Sequence, residues 1–215
     1  MTKLERMDDF FAARVDGYDE HMLRDVGGCA DGYRLMAELV AKLKPAKLLD
    51  LGCGTGLELD EIFKLLPDID VTGIDMTAQM LAQILLKHPD KRLTLMLADY
   101  FKADYGDGYD AAVSFQTMHH FTHDEKLHIY RKIHDALKSG GTYIECDYIC
   151  TTQAQEDGFF AELARLKAEQ RLGDGWFHFD VPCTVENQIK LLKAAGFVEV
   201  NQVYKQENTV MITAC

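Results

Sequence analysis

The apolar positions of the chain follow a helical period near the N-terminus and then switch between two kinds of segment. In residues 3–23, apolar side chains recur at steps of three and four, which is the spacing of one helix face. Gly27 and Gly28 interrupt this pattern, and a second helix is predicted over 31–43, ending before Pro45. Beyond Pro45, short apolar runs that end at Gly or Asp alternate with longer amphipathic stretches that end at Gly or Pro.

This alternation predicts an α/β fold with a mostly parallel, seven-stranded sheet and helices on both faces. Only 206–208 separate the last two strands, so we expect them to form an antiparallel hairpin at the C-terminus. The predicted strands are 47–51, 70–75, 93–97, 109–115, 142–146, 197–203 and 209–214. The predicted helices after the N-terminal pair are 57–66, 77–88, 123–137, 157–172 and 184–195, and the fourth of these ends at Gly173-Asp174-Gly175.

The length and composition suit one compact domain over 1–215. We divide it into an N-terminal helical cap (1–44), a core (45–147), an insertion (148–183) and a C-terminal helix with its hairpin (184–215). Apolar residues make up 47% of the chain, which is enough for a substantial core. No linker, repeat or low-complexity tract is visible.

The net charge, the cysteines and the lack of apolar segments indicate which partners and which cellular compartment to expect. The net charge of -12 disfavours nucleic acid as a partner, and no run of Lys and Arg offsets it. The chain shows neither a signal-peptide pattern nor an apolar stretch long enough for a membrane span, so we expect a cytoplasmic protein with no membrane contact. The six cysteines match no zinc or redox spacing and are interpreted as reduced thiols.

A glycine-rich turn follows the first predicted strand of the core. Gly52, Gly54 and Gly56 lie at even spacing after Asp50 and directly before a helix. Glycines let the backbone approach a ligand, and a helix N-terminus presents free N–H groups. The even spacing differs from the Gly-x-Gly-x-x-Gly of dinucleotide sites. Alone, the turn is also compatible with an ordinary tight connection.

Two further carboxylates make a nucleotide-like ligand the better interpretation. Asp75 ends the second strand, where it can accept hydrogen bonds from ribose hydroxyls. Asp99 follows the third strand, where it can accept the amine of an adenine, with Tyr100 beside the ring. Ligands of open α/β sheets bind at this edge.

Taken in order, these segments resemble the class I S-adenosylmethionine (SAM)-dependent methyltransferases of the small-molecule type. The resemblance covers roughly 45–147 and implies a Rossmann-like fold and SAM as the cofactor. The segments that carry it are Leu-Asp-Leu-Gly-Cys-Gly-Thr-Gly, Gly-Ile-Asp-Met-Thr, Ala-Asp-Tyr, Tyr-Asp-Ala-Ala-Val-Ser-Phe-Gln-Thr-Met-His-His-Phe and Leu-Lys-Ser-Gly-Gly-Thr.

The resemblance also implies which residues meet the cofactor. Gly52 and Gly54 approach the methionine part of SAM, and Asp50 lies near its ammonium group. Asp75 binds the ribose, Met76 packs on the adenine, and Asp99 with Tyr100 holds the other edge of the base. The remaining expected cofactor residues are Cys53, Thr55 and Gly56 of the loop, and Ser114, Phe115 and Gln116 below the sulfonium.

The sequence says less about the methyl acceptor than about the cofactor. Transfer from a sulfonium mainly requires alignment, although a hydroxyl or carbon acid also needs a base. The candidate catalytic residues are His119, His120 and Tyr18, and the candidate acceptor-binding residues are Tyr18, His119, Asp147, Trp176 and His178. The two adjacent histidines are equally compatible with orienting their loop, and the aromatic N-terminal residues with simple packing on the sheet.

A metal is not predicted. His178 and Asp180 have side chains that can join His119 or His120 as ligands, but no spacing in the sequence requires such a site.

The sequence therefore predicts an enzyme that moves a methyl group from SAM to a small molecule by in-line displacement. Two alternatives remain open: a methyltransferase acting on tRNA or another macromolecule, and a SAM-binding regulator without turnover. The sequence is compatible with a homodimer whether the acceptor is a small molecule or a macromolecule.

Overall fold

A computed structural model describes residues 3–173 and 175–215. Residues 1, 2 and Asp174, the last within the predicted glycine turn, lie outside the described residues. The strands are β1 (Lys47–Leu51), β2 (Asp70–Asp75), β3 (Leu93–Leu97), β4 (Tyr109–Phe115), β5 (Leu137–Tyr148), β6 (Val200–Gln206) and β7 (Thr209–Ala214). The helices are α1 (Met7–Ala12), α2 (Tyr18–Arg24), α3 (Cys29–Leu43), α4 (Leu57–Leu65), α5 (Ala78–Lys87), α6 (His123–Ala136), α7 (Gln153–Glu169) and α8 (Val185–Ala195).

The seven strands form one sheet in the order β3-β2-β1-β4-β5-β7-β6. Strands β1 to β5 are parallel, and β7 runs antiparallel to both β5 and β6. This confirms the predicted mostly parallel sheet with its C-terminal hairpin. The chain order reverses between β1 and β4, and the carboxyl ends of β1, β2 and β4 therefore border the crevice where open α/β sheets bind ligands.

Hydrophobic cores form on both faces of the sheet. Helices α6 and α8 pack on one face, where they bury Ile129, Ile133 and Leu192. Helices α3 and α4 pack on the other, where Met36 and Ile62 are fully buried. The helices cover both faces, as expected for strands that are apolar throughout.

The N-terminal region differs from its prediction. The continuous helix expected over 3–23 is two short helices, α1 and α2, separated by a break at Gly17. Gly17 has a left-handed φ of 86° and serves as the N-cap of α2. The apolar spacing continues across the break, and a glycine within such a pattern is a weak signal on its own.

Three other elements differ clearly from their predicted bounds, and one of them is β6, which covers Val200–Gln206 instead of 197–203. Strand β5 is longer than predicted because it already pairs with β4 at Leu137, opposite Tyr109. The register then shifts, and pairing resumes with Thr142 opposite Ala111, so the predicted turn Ser139-Gly140-Gly141 lies inside the strand as an irregularity. Helix α7 begins at Gln153, where Thr152 forms a capping box with Gln155.

No helix in the described part of the chain is long and apolar enough to cross a membrane. All six cysteines are free, and five of them are buried.

Candidate active site

The glycine loop between β1 and α4 is held by left-handed glycines. Gly52, Gly54 and Gly56 have φ values of 76°, 49° and 79°. A Cβ at Gly52 would lie 2.5 Å from Thr117 Cγ2 and 2.9 Å from Thr117 Cβ, whereas a Cβ at Gly54 would meet only the Gly52 carbonyl oxygen, at 3.9 Å. The loop therefore requires glycine at 52 for both conformation and space.

Asp75 fixes this loop from the end of β2. Its carboxylate accepts the Gly54 N–H at 3.0 Å and the Thr77 N–H at 2.7 Å. The side chain is buried, and burial raises its pKa to about 6 against the opposing backbone hydrogen bonds. A buried carboxylate at this edge is well suited to accept hydroxyl donors.

Asp50 lies beneath the loop, at the end of β1. It is fully buried, and its polar neighbour is the carboxyl of Glu58; no N–H or hydroxyl group among the described residues donates to its oxygens. Burial raises the pKa of Asp50 to about 7. Orphaned buried oxygens of this kind call for a donor, which a cationic ligand group can supply.

A small cavity of about 40 Å³ opens over the loop, and we call it the glycine-loop cavity. Helix α1 covers it with Met7 and Phe11. Among the predicted cofactor residues, those that line it are Gly52, Gly54, Asp75, Met76, Tyr100, Phe115 and Gln116.

The other predicted cofactor residues do not line the cavity, and all of them except Asp50 have a structural role or partner of their own. Asp50 lies below the loop, and Gly56 caps the start of α4. Cys53 packs its sulfur against Gly73, and the Thr55 hydroxyl donates to Asp19 of α2. The Ser114 hydroxyl lies 2.6 Å from the Tyr143 hydroxyl inside the sheet.

Asp99 lies farther along the same edge. Its carboxylate accepts the Phe101 N–H at 2.9 Å and pairs with Lys102 at 3.0 Å. Burial would raise the pKa of Asp99, but hydrogen bonds from Lys102, the Phe101 amide and the Trp176 indole hold it below its usual range.

Trp176 belongs to this edge and not to the large cavity described next. Its ring stacks on Phe101 with the centroids 4.1 Å apart. This placement gives no support to the predicted role of Trp176 in acceptor binding. Trp176 and His178 belong to the same loop, but only His178 lines the large cavity.

A second cavity of about 860 Å³ lies next to the first, and we call it the large cavity. Four residues line both cavities and form the wall between them: Phe11, Tyr18, Gln116 and His120. Gln116 holds this place at the end of β4 with a left-handed φ of 51°, which is uncommon for a non-glycine residue and typical of strained functional positions.

Three histidines predicted as catalytic or acceptor-binding residues meet at one end of the large cavity, and the predicted acceptor residue Asp147 lies behind His119 without lining the cavity. A short 3-10 turn, Met118–His120, places the two histidines there after β4. His119 and His120 are 6% and 9% exposed, and His119 Nδ1 lies 2.6 Å from Asp147 Oδ1 at the end of β5. His178 lines the cavity from the loop before α8.

Asp180 joins this group through backbone pairing. The Val181 N–H donates to the His119 carbonyl at 2.7 Å, which holds the 178–181 segment against the 3-10 turn. Asp180 Oδ1 consequently lies 3.3 Å from His120 Nδ1 and 3.6 Å from His119 Nε2. His178 Nε2 is 3.9 Å from the same oxygen.

The charges of this group depend on one another. Burial lowers the pKa of His119, but the Asp147 carboxylate more than offsets this, so the net pKa is raised. Burial and the neighbouring His119 lower the pKa of His120, and burial lowers that of His178 to about 4. Burial would raise the pKa of Asp180, but the three imidazoles hold it well below its usual range.

The N-terminal helices form the roof over both cavities. Phe10 stacks on His178 with centroids 3.4 Å apart, and Phe11 meets the edge of His120 at 5.6 Å. Tyr18 is half-buried, and burial together with the carboxyls of Glu58 and Asp75 raises its pKa further from neutrality. Its phenol therefore stays protonated at neutral pH, which suits positioning better than proton abstraction.

A buried polar network next to the site was not anticipated from the sequence. Lys126 is fully buried, with Nζ 3.2 Å from Cys183 Sγ and 3.1 Å from Gln188 Oε1. Gln188 also donates to Glu145, two residues before Asp147. Lys126 occupies what reads as an ordinary helix position, so no sequence signal marks it.

Comparison with known proteins finds similar sequences and similar folds. A family model described as "Methyltransferase domain" matches residues 49–143. A carboxy-S-adenosyl-L-methionine synthase of Campylobacter fetus is 24% identical over 95% of this chain and 93% of that protein. A malonyl-[acyl-carrier protein] O-methyltransferase of Legionella pneumophila is 29% identical over 55% of this chain and 42% of that protein.

Solved structures show the same fold. DhpI in complex with SAH (S-adenosylhomocysteine) superposes with a TM-score of 0.71 at 17% identity, covering 96% of this chain and 93% of that one. A Nostoc punctiforme structure described as a candidate O-methyltransferase gives 0.73 at 21% identity and covers 98% of this chain, which spans 61% of its length. The resemblance found in the sequence is confirmed: residues 49–143 match a methyltransferase-domain family, and the chain has the fold of solved SAM-binding methyltransferases.

Proposed function

We propose that this enzyme transfers the methyl group of SAM to a small molecule bound in the large cavity. The observation that carries the proposal is the shared wall: Phe11, Tyr18, Gln116 and His120 border both the glycine-loop cavity and the large cavity. A cofactor on one side and an acceptor on the other would meet at that wall. The cavity of about 860 Å³ lies in the range of small-molecule sites, roughly 300–1,000 Å³.

The residues around the glycine loop fit SAM by their chemistry. The buried Asp50 oxygens lack partners and suit the proximity of a cationic ammonium group. Asp75 suits two ribose hydroxyls, and Met76 with Tyr100 offers apolar surface to an adenine. Asp99 completes the set at the far edge of the base.

SAM supplies an electrophilic methyl group on a sulfonium, which is already a good leaving group. The work left to the protein is alignment, exclusion of water and release of the acceptor's proton. Phe10, Phe11 and Tyr18 cover the reacting region. The proton leaves at the polar end of the large cavity, where His119, His120 and Asp180 lie.

Carboxy-SAM synthesis is a second candidate, and one observation favours it. The synthases of Campylobacter species match nearly the whole chain, whereas the two O- and C-methyltransferases that share 28–29% identity match 55–70% of it. In that reaction the cofactor itself would be the modified product and no separate methyl acceptor would gain mass.

One assay separates these functions. Purified enzyme is incubated with methyl-labelled SAM and a metabolite extract, and in parallel with bulk tRNA, and the products are resolved by mass spectrometry. Label in a small molecule supports the proposal. Label confined to RNA, a SAM species that has gained a carboxylate, or tight SAM binding without any product would each contradict it.

The cofactor site is tested by Asp75→Asn, with Asp70→Asn at the exposed start of the same strand as the matched control. Asparagine keeps one acceptor oxygen, so the variant loses one hydrogen bond to a charged group, worth about 1.5–3 kcal/mol, and should bind SAM about 10- to 100-fold more weakly. Calorimetric titration measures the affinity, and circular dichroism checks the fold. Equal affinity in both variants would mean that the ribose binds elsewhere.

A further inference from the structure

Three potential metal-binding atoms converge at the polar end of the large cavity. They are His119 Nε2, His120 Nδ1 and Asp180 Oδ1, and all three lie within 4.8 Å of one another. The Asp180 oxygen is 3.3 Å from the His120 nitrogen and 3.6 Å from the His119 nitrogen. Metal bonds of 2.0–2.2 Å at tetrahedral or octahedral angles separate adjacent ligand atoms by about 3.0–3.5 Å, and the two distances to Asp180 lie in or next to that range.

Two of these atoms, His120 Nδ1 and Asp180 Oδ1, are buried and form no well-directed hydrogen bond with the described residues. They face each other as an ion pair at 3.3 Å, although the Asp180 side chain as a whole is 40% exposed. A buried nitrogen and oxygen that meet without a well-directed hydrogen bond leave room for a shared partner such as an ion. The His120 side chain is 5% exposed, so bulk water is not its ordinary partner.

Asp147 prepares His119 for the same role. Its carboxylate accepts from His119 Nδ1 at 2.6 Å, which fixes the ring tautomer and directs the Nε2 lone pair toward Asp180. A carboxylate on the far nitrogen of a ligating histidine is the usual outer partner of a metal site. The carboxylates of Asp147 and Asp180 together provide the negative charge that a divalent cation requires.

We propose that His119, His120 and Asp180 bind a divalent first-row transition-metal ion whose open positions receive an oxygen or nitrogen donor of the substrate. Two imidazoles and one carboxylate suit Zn²⁺, Mn²⁺ or Fe²⁺ better than Mg²⁺ or Ca²⁺, which prefer oxygen ligands. The substrate part of this inference rests on the proposed function, but the ion-binding part does not.

The site also narrows the substrate class. An acceptor carrying a hydroxyl, or two neighbouring oxygen donors, would bind the ion directly, and the ion would make loss of the hydroxyl proton to water easier. The oxygen–methyl bond then forms as the sulfur–methyl bond breaks, and SAH leaves with the sulfur electron pair. The apolar part of such an acceptor would lie against Phe10 and Phe11.

A neighbouring cluster provides a contrast. His123, Glu156 and Cys183 are also within ligand distance of one another. There, however, the Lys126 ammonium lies 3.2 Å from the Cys183 sulfur, and Glu156 already accepts from Thr184 and Asn187 at 2.6 and 2.7 Å. A fixed cation and a satisfied carboxylate disfavour a metal ion.

The test is metal binding by the full-length, untagged protein without SAM. After treatment with a chelator, the protein is titrated calorimetrically with Zn²⁺ and, separately, with Mn²⁺, and Co²⁺ is added to record its visible absorption bands. We expect one equivalent of at least one ion. Asp180→Asn and His120→Ala should weaken binding by more than about 100-fold, since even loss of an outer partner costs 10- to 100-fold.

Two histidine controls separate this site from other imidazoles. His21→Ala removes an exposed histidine that lines the same cavity, and His123→Ala removes one from the neighbouring cluster. Both should bind the ion as wild type does. Loss of binding in His123→Ala, or unchanged binding in both Asp180→Asn and His120→Ala, would overturn the assignment.

The same samples keep this inference distinct from the proposed function. Circular dichroism reports whether each variant folds, and Asp180→Asn provides a mild change should His120→Ala not fold. SAM affinity is measured on each protein. SAM binding without any binding of Zn²⁺ or Mn²⁺ would overturn the metal site alone, whereas metal binding without SAM binding would overturn the proposed function alone.

Discussion

Replacing Gly52 with alanine tests how tightly the glycine loop is held. Gly52 has a φ of 76°, and a Cβ there would lie 2.5 Å from Thr117 Cγ2 and 2.9 Å from Thr117 Cβ. The left-handed conformation costs an alanine about 1–2 kcal/mol. Displacing the Thr117 side chain adds an overpacking cost of about 1–3 kcal/mol. We therefore expect Gly52→Ala to lower the free energy of unfolding by about 2–5 kcal/mol.

Gly54→Ala is the matched control, because it shares the left-handed backbone but not the clash. Its φ is 49°, and a Cβ there would meet only the Gly52 carbonyl oxygen, at 3.9 Å. This variant should lose about 1–2 kcal/mol. The difference between the two variants isolates the contact with Thr117.

The assay is urea denaturation followed by circular dichroism, completed by a double-mutant cycle. Thr117→Ala removes Oγ1 and Cγ2, so Gly52→Ala/Thr117→Ala should recover part of the clash cost and show a favourable coupling energy. Equal stability of Gly52→Ala and Gly54→Ala, or strict additivity in the cycle, would refute the reasoning.

Two further predictions concern buried charge. Lys126→Met should lower the free energy of unfolding by about 1–3 kcal/mol, because it leaves the buried Cys183 and Gln188 without the hydrogen bonds from the Lys126 ammonium; urea denaturation measures it, and the exposed Lys64→Met should change little. Asp50→Asn should gain stability over wild type as the pH rises from about 4 to about 7. The folded protein keeps the Asp50 proton up to a pKa of about 7 while the unfolded chain releases it near 3.8, so wild type loses stability through that window. A stability difference that is flat with pH in denaturation curves would contradict this.

Local features of the sequence predicted much of the fold and the cofactor side of the site. Strands β1 to β4 match their predicted bounds because each is a short apolar run between turn residues. The glycine loop and Asp75 are recognisable because their chemistry depends on neighbours within a few residues. These are cases in which the physical cause is itself local.

The polar end of the large cavity depends on distant pairings and was only partly predictable. His119 and Asp147 come from the ends of adjacent strands, which a sheet prediction can bring together. Asp180 reaches them through one backbone hydrogen bond from Val181, and no periodicity encodes it. The same holds for Trp176. Its aromatic loop predicts that the side chain is buried, but not that it packs on Phe101 instead of lining the acceptor site.

The shared position of Phe11 has a thermodynamic consequence. The glycine-loop cavity measures about 40 Å³, far below the roughly 300 Å³ of the smallest usual ligand pockets, so we expect its lining, which includes Met7 and Phe11 of α1, to shift when a cofactor enters. The same helix carries Phe10 against His178 and Phe11 against His120. We therefore expect occupancy of one cavity to alter the affinity of the other, and linkage makes such an effect reciprocal: whatever factor the cofactor imposes on acceptor binding, the acceptor imposes on the cofactor.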